Sequence, residues 1–169
     1  RPIRHAPIPL AEAQRRIETY WRPYHEALRE LIDEARARFG WAIVIDMHSM
    51  PHDAVAHMLP PHPEVVIGDR HGISCAAVLR ERVCGVFRHH GFRLRLNAPF
   101  SGAYVASAYG RPTQGVHVLQ VEIDRALYLD HREMVPSEGY ARLQVKLGQV
   151  LQELARLRPD HIRAKVAAE

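Results

Sequence analysis

An aspartate, two histidines and a serine crowd the end of one apolar run, residues 41–52 (WAIVIDMHSMPH). Asp46 and His48 stand two positions apart, so on a continuing strand they share one face. That spacing suits a carboxylate orienting an imidazole, or two groups facing one ion. The alternative is a strand end whose polar residues are merely solvated. A second run, residues 117–123 (HVLQVEI), carries Glu122 near its end. Alternation places Val118, Gln120 and Glu122 on one face, and His117, Leu119 and Val121 on the other. A carboxylate in such a place is either paired or functional, and Asp124 and Arg125 follow at once as partners for a structural ion pair. A third cluster, Gly68-Asp69-Arg70-His71-Gly72, puts an arginine on a glycine-flanked loop that a ligand can approach closely.

These residues need elements to hold them. The β-branched run at 42–47 reads as a buried strand, and α/β proteins place ligands at the carboxyl ends of such strands. Before it, apolar residues recur at three and four from Leu10 to Arg38, the period of a helix. Pro23 kinks or divides that helix, Gly40 ends it, and Trp21, Tyr24 and His25 are assigned to core packing. Residues 49–69 form a long irregular segment with a short strand at Val65, Val66 and Ile67. Ser74 caps a helix running to about His90, and Gly91 closes it. A strand follows at 92–96, then a glycine-rich aromatic loop at 97–115. A final amphipathic helix covers 136–157. The order of helices and strands argues an α/β layered domain. We expect one domain over 1–169, with 1–9 linker-like and 160–169 a tail. The three polar clusters are expected to converge at one edge of the sheet.

The chain has 169 residues, of which 47% are hydrophobic, enough for one domain with a true core. No apolar run approaches the roughly 20 residues a membrane helix needs, and no signal peptide is visible. The chain begins at Arg1, which reads as upstream sequence removed or not represented. Cys75 and Cys84 do not make a disulfide framework. On one helix they would stand about 13.5 Å apart along its axis, so two reduced thiols and a cytoplasmic setting are expected. The net charge is +4, but the arginines lie among Glu and Asp on helical stretches and form no basic stripe, so nucleic acid is set aside as a partner.

The segments IDMHSMP, GDRHGISC, FSGAYVASAYGRPTQGVHVLQVEIDRALYLD and YWRPYHEAL resemble the N-formylglutamate amidohydrolases, over about residues 10–155. That family is similar to the zinc-dependent carboxypeptidases and aspartoacylases. The resemblance implies a three-layer, zinc-exopeptidase-like α/β fold with a mixed sheet flanked by helices. It implies zinc as cofactor, held by an early His-x-x-Glu pair and a later histidine. In this chain that later histidine matches His48, supported by Asp46, and the catalytic glutamate matches Glu122. Arg70, and after it Arg125, would hold a substrate carboxylate. Tyr104 and Tyr109 either close over the substrate or simply pack.

Two departures bear on this expectation. No His-x-x-Glu pair precedes residue 41, so the chain resembles the C-terminal two-thirds of such an enzyme, apparently without its N-terminal part. His52, His71 and His117 are the next histidines to consider as ligands. Ala106-Ser107-Ala108-Tyr109-Gly110 also stands where many relatives carry Thr-Arg-His-Tyr-Gly, which removes a candidate arginine for a glutamate side chain. The expected activity is metal-dependent hydrolysis of the amide of N-formylglutamate or a similar small N-acyl amino acid, a step of histidine degradation. A zinc exopeptidase or deacylase of other specificity, and a non-catalytic α/β binding domain with an incomplete metal site, are the alternatives. The oligomeric state is left open.

Overall fold

The computed structural model describes residues 6–158 of the chain. Its contacts divide the chain into two units, with the boundary after Ala42. The first unit is helical: α1 (Leu10–Arg16), a π-helical turn (Ile17–Trp21) and α2 (Arg22–Phe39). The division falls where Pro23 demands it. Pro23 lies in the first turn of α2, has no N–H to give and crowds the carbonyl four residues back, so the preceding turn widens. Gly40 closes α2 in the left-handed region, φ +78°, and its N–H reaches Arg36 O at 2.8 Å.

Only His25 and Ile32 of α2 are buried. Trp21 and Tyr24, expected in the core, are 45% and 56% exposed. Their rings lean on His25 instead, with centroids 4.4 and 4.9 Å from it. A helical period reports that a helix has an apolar face; it does not report that the face is covered.

The second unit is built on a four-stranded sheet in the order β1-β4-β2-β3. Its strands are β1 (Ala42–Met50), β2 (Val65–Gly68), β3 (Leu94–Leu96) and β4 (Val116–Asp124). β2 runs parallel to β3 and antiparallel to β4, which makes the sheet mixed. Between and after the strands come α3 (Asp53–Ala56), α4 (Ala77–His89), α5 (Tyr104–Tyr109), a small hairpin of β5 (Leu129–Asp130) and β6 (Val135–Pro136), and α6 (Gly139–Leu154). α4 packs on α6, and α5 packs on β4. All nine residues of β4 are buried, so both faces of that strand are covered. Across β2 and β4, Val65 stands opposite Ile123, Val66 opposite Glu122 and Ile67 opposite Val121; Val66 also packs with Met50 and Val55, and Val118, Leu119, Leu79, Val83 and Phe87 are buried as well. Each such apolar side chain contributes about 1.5–3 kcal/mol by leaving water.

Several local expectations change. β1 continues beyond its apolar run, through His48 and Ser49 to Met50. Ser74 does not cap α4; the cap position is Ala76. Ser74 is fully buried, and its hydroxyl donates to Val118 O at 2.9 Å, pinning the approach to α4 onto β4. The loop at 97–115 contains α5, and α6 starts only at Gly139 because Pro136 pairs in β6. Cys75 precedes α4, so the two cysteines do not share a helix; both are free and buried. Burial pushes their thiols up, to about 12 for Cys75 and about 11 for Cys84. Among the described residues no helix is long and apolar enough to cross a membrane. The expected tail at 160–169 and the first residues of the expected linker lie outside the described residues.

Candidate functional site

Alternation along β1 puts Asp46 and His48 together, and the neighbouring β4 brings Glu122 to the same place. His48 Nε2 lies 3.0 Å from Asp46 Oδ2, and His48 Nδ1 lies 3.9 Å from Glu122 Oε1. The imidazole therefore stands between two carboxylates. The Asp46 contact is close but not aligned: its buried Oδ2 has no hydrogen-bond partner among the described residues. Glu122 is only 7% exposed and is held from its own strand, where Gln120 Nε2 donates to Glu122 Oε1 at 2.7 Å. Gln120 Oε1 in turn accepts the Ala103 N–H at 2.5 Å.

The ion pair expected between Glu122 or Asp124 and Arg125 does not form. Arg125 donates from Nε to Ser49 Oγ and from Nη2 to Ser49 O, both at 3.2 Å. It bolts the end of β4 to the end of β1. Asp124 accepts the Ala126 N–H at Oδ1, 2.9 Å, and faces His52 Nδ1 with Oδ2, 2.7 Å. Two strand ends thus exchange three sets of side-chain contacts: His48 with Glu122, Ser49 with Arg125, and His52 with Asp124.

The arginine loop follows β2. Asp69 is completely buried. Its carboxylate accepts from Asn97 Nδ2 at 2.7 Å and from Arg80 Nη1 at 3.0 Å. Burial works to raise its pKa, but the Asn97, Arg80 and Gly72 N–H bonds outweigh burial and hold it below the usual value. Asn97 also accepts the Asp69 N–H at 3.0 Å through Oδ1. Arg70, His71 and Asn97 all lie in the left-handed region, with φ of 52°, 56° and 56°. Each costs about 1–2 kcal/mol for a residue with a Cβ, so the loop persists because these bonds over-determine it. The Arg70 N–H bonds Ser101 O at 2.6 Å. Asp69 is committed to Asn97 and Arg80, which leaves the Arg70 guanidinium without an ion pair among the described residues.

The remaining candidates separate. Tyr104 and Tyr109 sit on α5, Tyr104 54% exposed and Tyr109 half-buried. His71 is exposed on the loop. His117 is buried and its Nδ1 accepts the Ala76 N–H at 3.2 Å; burial lowers its pKa, which favours the neutral ring that bond needs. Among the described residues, no group of three His, Cys, Asp or Glu side chains is arranged to hold a metal ion. His48 with its unsatisfied neighbour Asp46 offers part of a ligand set and not a complete one. Gln120 and Asn97 were not singled out from the sequence. Gln120 carried a signal, its place on the Glu122 face two residues away; Asn97 carried none beyond its glycine-rich surroundings.

The second unit is thus a mixed α/β fold that gathers imidazole and carboxylate side chains where two neighbouring strands end. The chain's comparisons with known proteins agree with one another. Residues 1–129 match the N-formylglutamate amidohydrolase family. A Pseudomonas putida protein described as N-formylglutamate deformylase is 35% identical over 147 residues, 85% of this chain and 55% of that protein. The protein of the same description from Pseudomonas aeruginosa is 32% identical over 160 residues, 91% of this chain and 58% of that one. The crystal structure of an N-formylglutamate amidohydrolase from Ralstonia eutropha JMP134 superposes with a TM-score of 0.84 at 35% identity, covering 91% of this chain and 56% of that one. The chain belongs to the N-formylglutamate amidohydrolase family. It spans a little over half the length of the curated relatives it matches.

Proposed function

We propose that this chain carries the base and substrate-anchoring half of an amidohydrolase that splits N-formylglutamate, or a similar N-acyl amino acid, into its acid and the free amino acid. The observation that carries this reading is the pairing of His48 with a buried, side-chain-anchored Glu122 in a member of that family. Glu122 takes a proton from the attacking water. The water oxygen bonds to the formyl carbon, the C–N bond breaks, and Glu122 delivers the proton to the leaving amine. A carboxylate that must move a proton twice needs a fixed position, and Gln120 supplies it.

Arg70 is the first anchor for a substrate carboxylate. Its guanidinium is uncommitted among the described residues and its planar fork suits a carboxylate. Arg125 is the second, although Ser49 already takes its Nε and one Nη. Tyr104 and Tyr109 are proposed to close over the substrate from α5. A groove of about 620 Å³ also borders His48, between Met47, Ile123 and the Leu143–Leu147–Leu151 face of α6. Among the described residues no lysine or arginine lines it, and we place the substrate carboxylates on the Arg70 side.

Zinc belongs to the proposal as the activator of that water, with His48 as the ligand from this chain and Asp46 orienting it. The described residues do not complete such a set, so no step is derived through the metal. Two free, buried thiols support a reducing, cytoplasmic setting. The incomplete ligand set also favours a second reading, a binding domain that kept the fold without the chemistry. Formate release from N-formyl-L-glutamate by zinc-equilibrated protein decides between them: steady turnover supports the hydrolase, and none from a well-folded sample supports the binding domain.

A further inference from the structure

The amide of Gln120 has only one productive orientation. It is 3% exposed and stands between a group that can only donate, the Ala103 N–H, and the Glu122 carboxylate. The backbone donor fixes the amide oxygen towards Ala103, so Nε2 must donate to Glu122. A reversed amide would set donor against donor at Ala103 and acceptor against acceptor at Glu122.

Ala103 belongs to a segment wedged against the arginine loop. Ser101 O accepts the Arg70 N–H at 2.6 Å. A Cβ on Gly68 would lie 2.6 Å from the Ser101 carbonyl carbon. A Cβ on Gly102, whose φ is +128°, would lie 2.9 Å from Arg70 Cγ. Gly68 also pairs with Gln120 across β2 and β4. The backbone of 101–103 therefore touches the Arg70 loop on one side and Gln120 on the other.

We propose that Gln120 is a positioning residue: through the backbone of 101–103 it holds the Glu122 carboxylate at a fixed spacing from Arg70. The inference rests on the hydrolase reading and adds to it a coupling between base and anchor. Two perturbations should separate. Gln120→Met keeps length and loses the donor; it misplaces the base and lowers kcat about 10–100-fold with KM little changed. Gly102→Ala forces a Cβ against Arg70 and raises KM with a smaller change in kcat.

A double-mutant cycle distinguishes positioning from bulk structure. On a Glu122→Gln background, Gln120→Met should change kcat less than about twofold, because its effect runs through the carboxylate it no longer finds. An equal loss on both backgrounds overturns the proposal, as does a Gln120→Met enzyme with normal kcat. Should Gln120→Met not fold, Gln120→Asn replaces it, being polar but too short to span both partners. A crystal structure of either variant gives a readout without turnover: the Glu122 carboxylate is expected to leave its place, and an unmoved carboxylate overturns the proposal. A wild-type protein that releases no formate, together with a displaced carboxylate in the variant, defeats the hydrolase reading and leaves the positional link standing.

Discussion

β4 and β1 are neighbours in one sheet and are finished to different degrees. Every residue of β4 is buried, and its carboxylates have designated partners: Gln120 for Glu122, the Ala126 N–H and His52 for Asp124. β1 is an edge of the sheet among the described residues, and its middle positions are half-buried or exposed. Its Asp46 keeps a buried oxygen without a hydrogen bond, and its His48 meets Glu122 only through a long contact of 3.9 Å. The difference is what the proposed roles need. On that reading the strand covered on both faces carries the base, which must be in place before it moves a proton, and the edge strand carries the atoms offered to a metal.

The sharpest way to break the comparison is at His48. His48→Ala should abolish turnover and bound zinc and shift Tm little, since the side chain is 39% exposed; elemental analysis and a melting curve on one sample check it. Retained stoichiometric zinc would remove His48 from the metal. Next comes Arg70→Lys, which keeps the charge and loses the planar fork. It should raise KM about 10–100-fold, the worth of a charge-assisted pair of about 1.5–3 kcal/mol, with Tm unchanged; an unaltered KM would move the anchor to Arg125.

Asn97→Ala tests the loop behind the anchor. It removes the bonds that hold Asp69 and places alanine at φ +56°. A loss of about 1–3 kcal/mol in denaturant unfolding is expected, and a neutral result would mean that Arg80 alone fixes Asp69. The smallest effect is a pH slope. His117 is depressed by burial and must charge when unfolded below about 6.5. Asp69 is depressed on balance by its donors and binds a proton more readily when unfolded, below about 3.9. Both folded values lie under the unfolded ones, so stability is full above neutrality. It falls first as pH drops below about 6.5, and again below about 4. His117→Gln should remove the first fall and leave the second.

The strands and the side chains that share their faces were legible because strand periodicity is local. Two-residue spacing placed Asp46 with His48 and Gln120 with Glu122, and both pairings hold. What the sequence hid is what depends on distant backbone. Arg125 reads as a partner for Asp124 or Glu122, yet Arg125 opens a short turn that Asp124 caps through the Ala126 N–H, and the other Asp124 oxygen faces His52. Arg125 finds Ser49 on another strand instead. Nothing in 97–103 announces that Asn97 holds Asp69, or that one N–H at Ala103 fixes the amide beside the base. Trp21 and Tyr24 read as core from the amphipathic period of their helix, yet both are exposed, because amphipathicity reports an apolar face and not what covers it.

The central claim is that Glu122 is a base held ready by β4. Glu122→Gln keeps the shape and the capacity to hydrogen-bond, so kcat and Tm measured on the same zinc-equilibrated sample separate chemistry from structure. The account predicts a kcat lower by about 10²–10⁴-fold, with Tm within a few degrees of wild type. A stable Glu122→Gln protein that releases formate at a near-normal rate would contradict it.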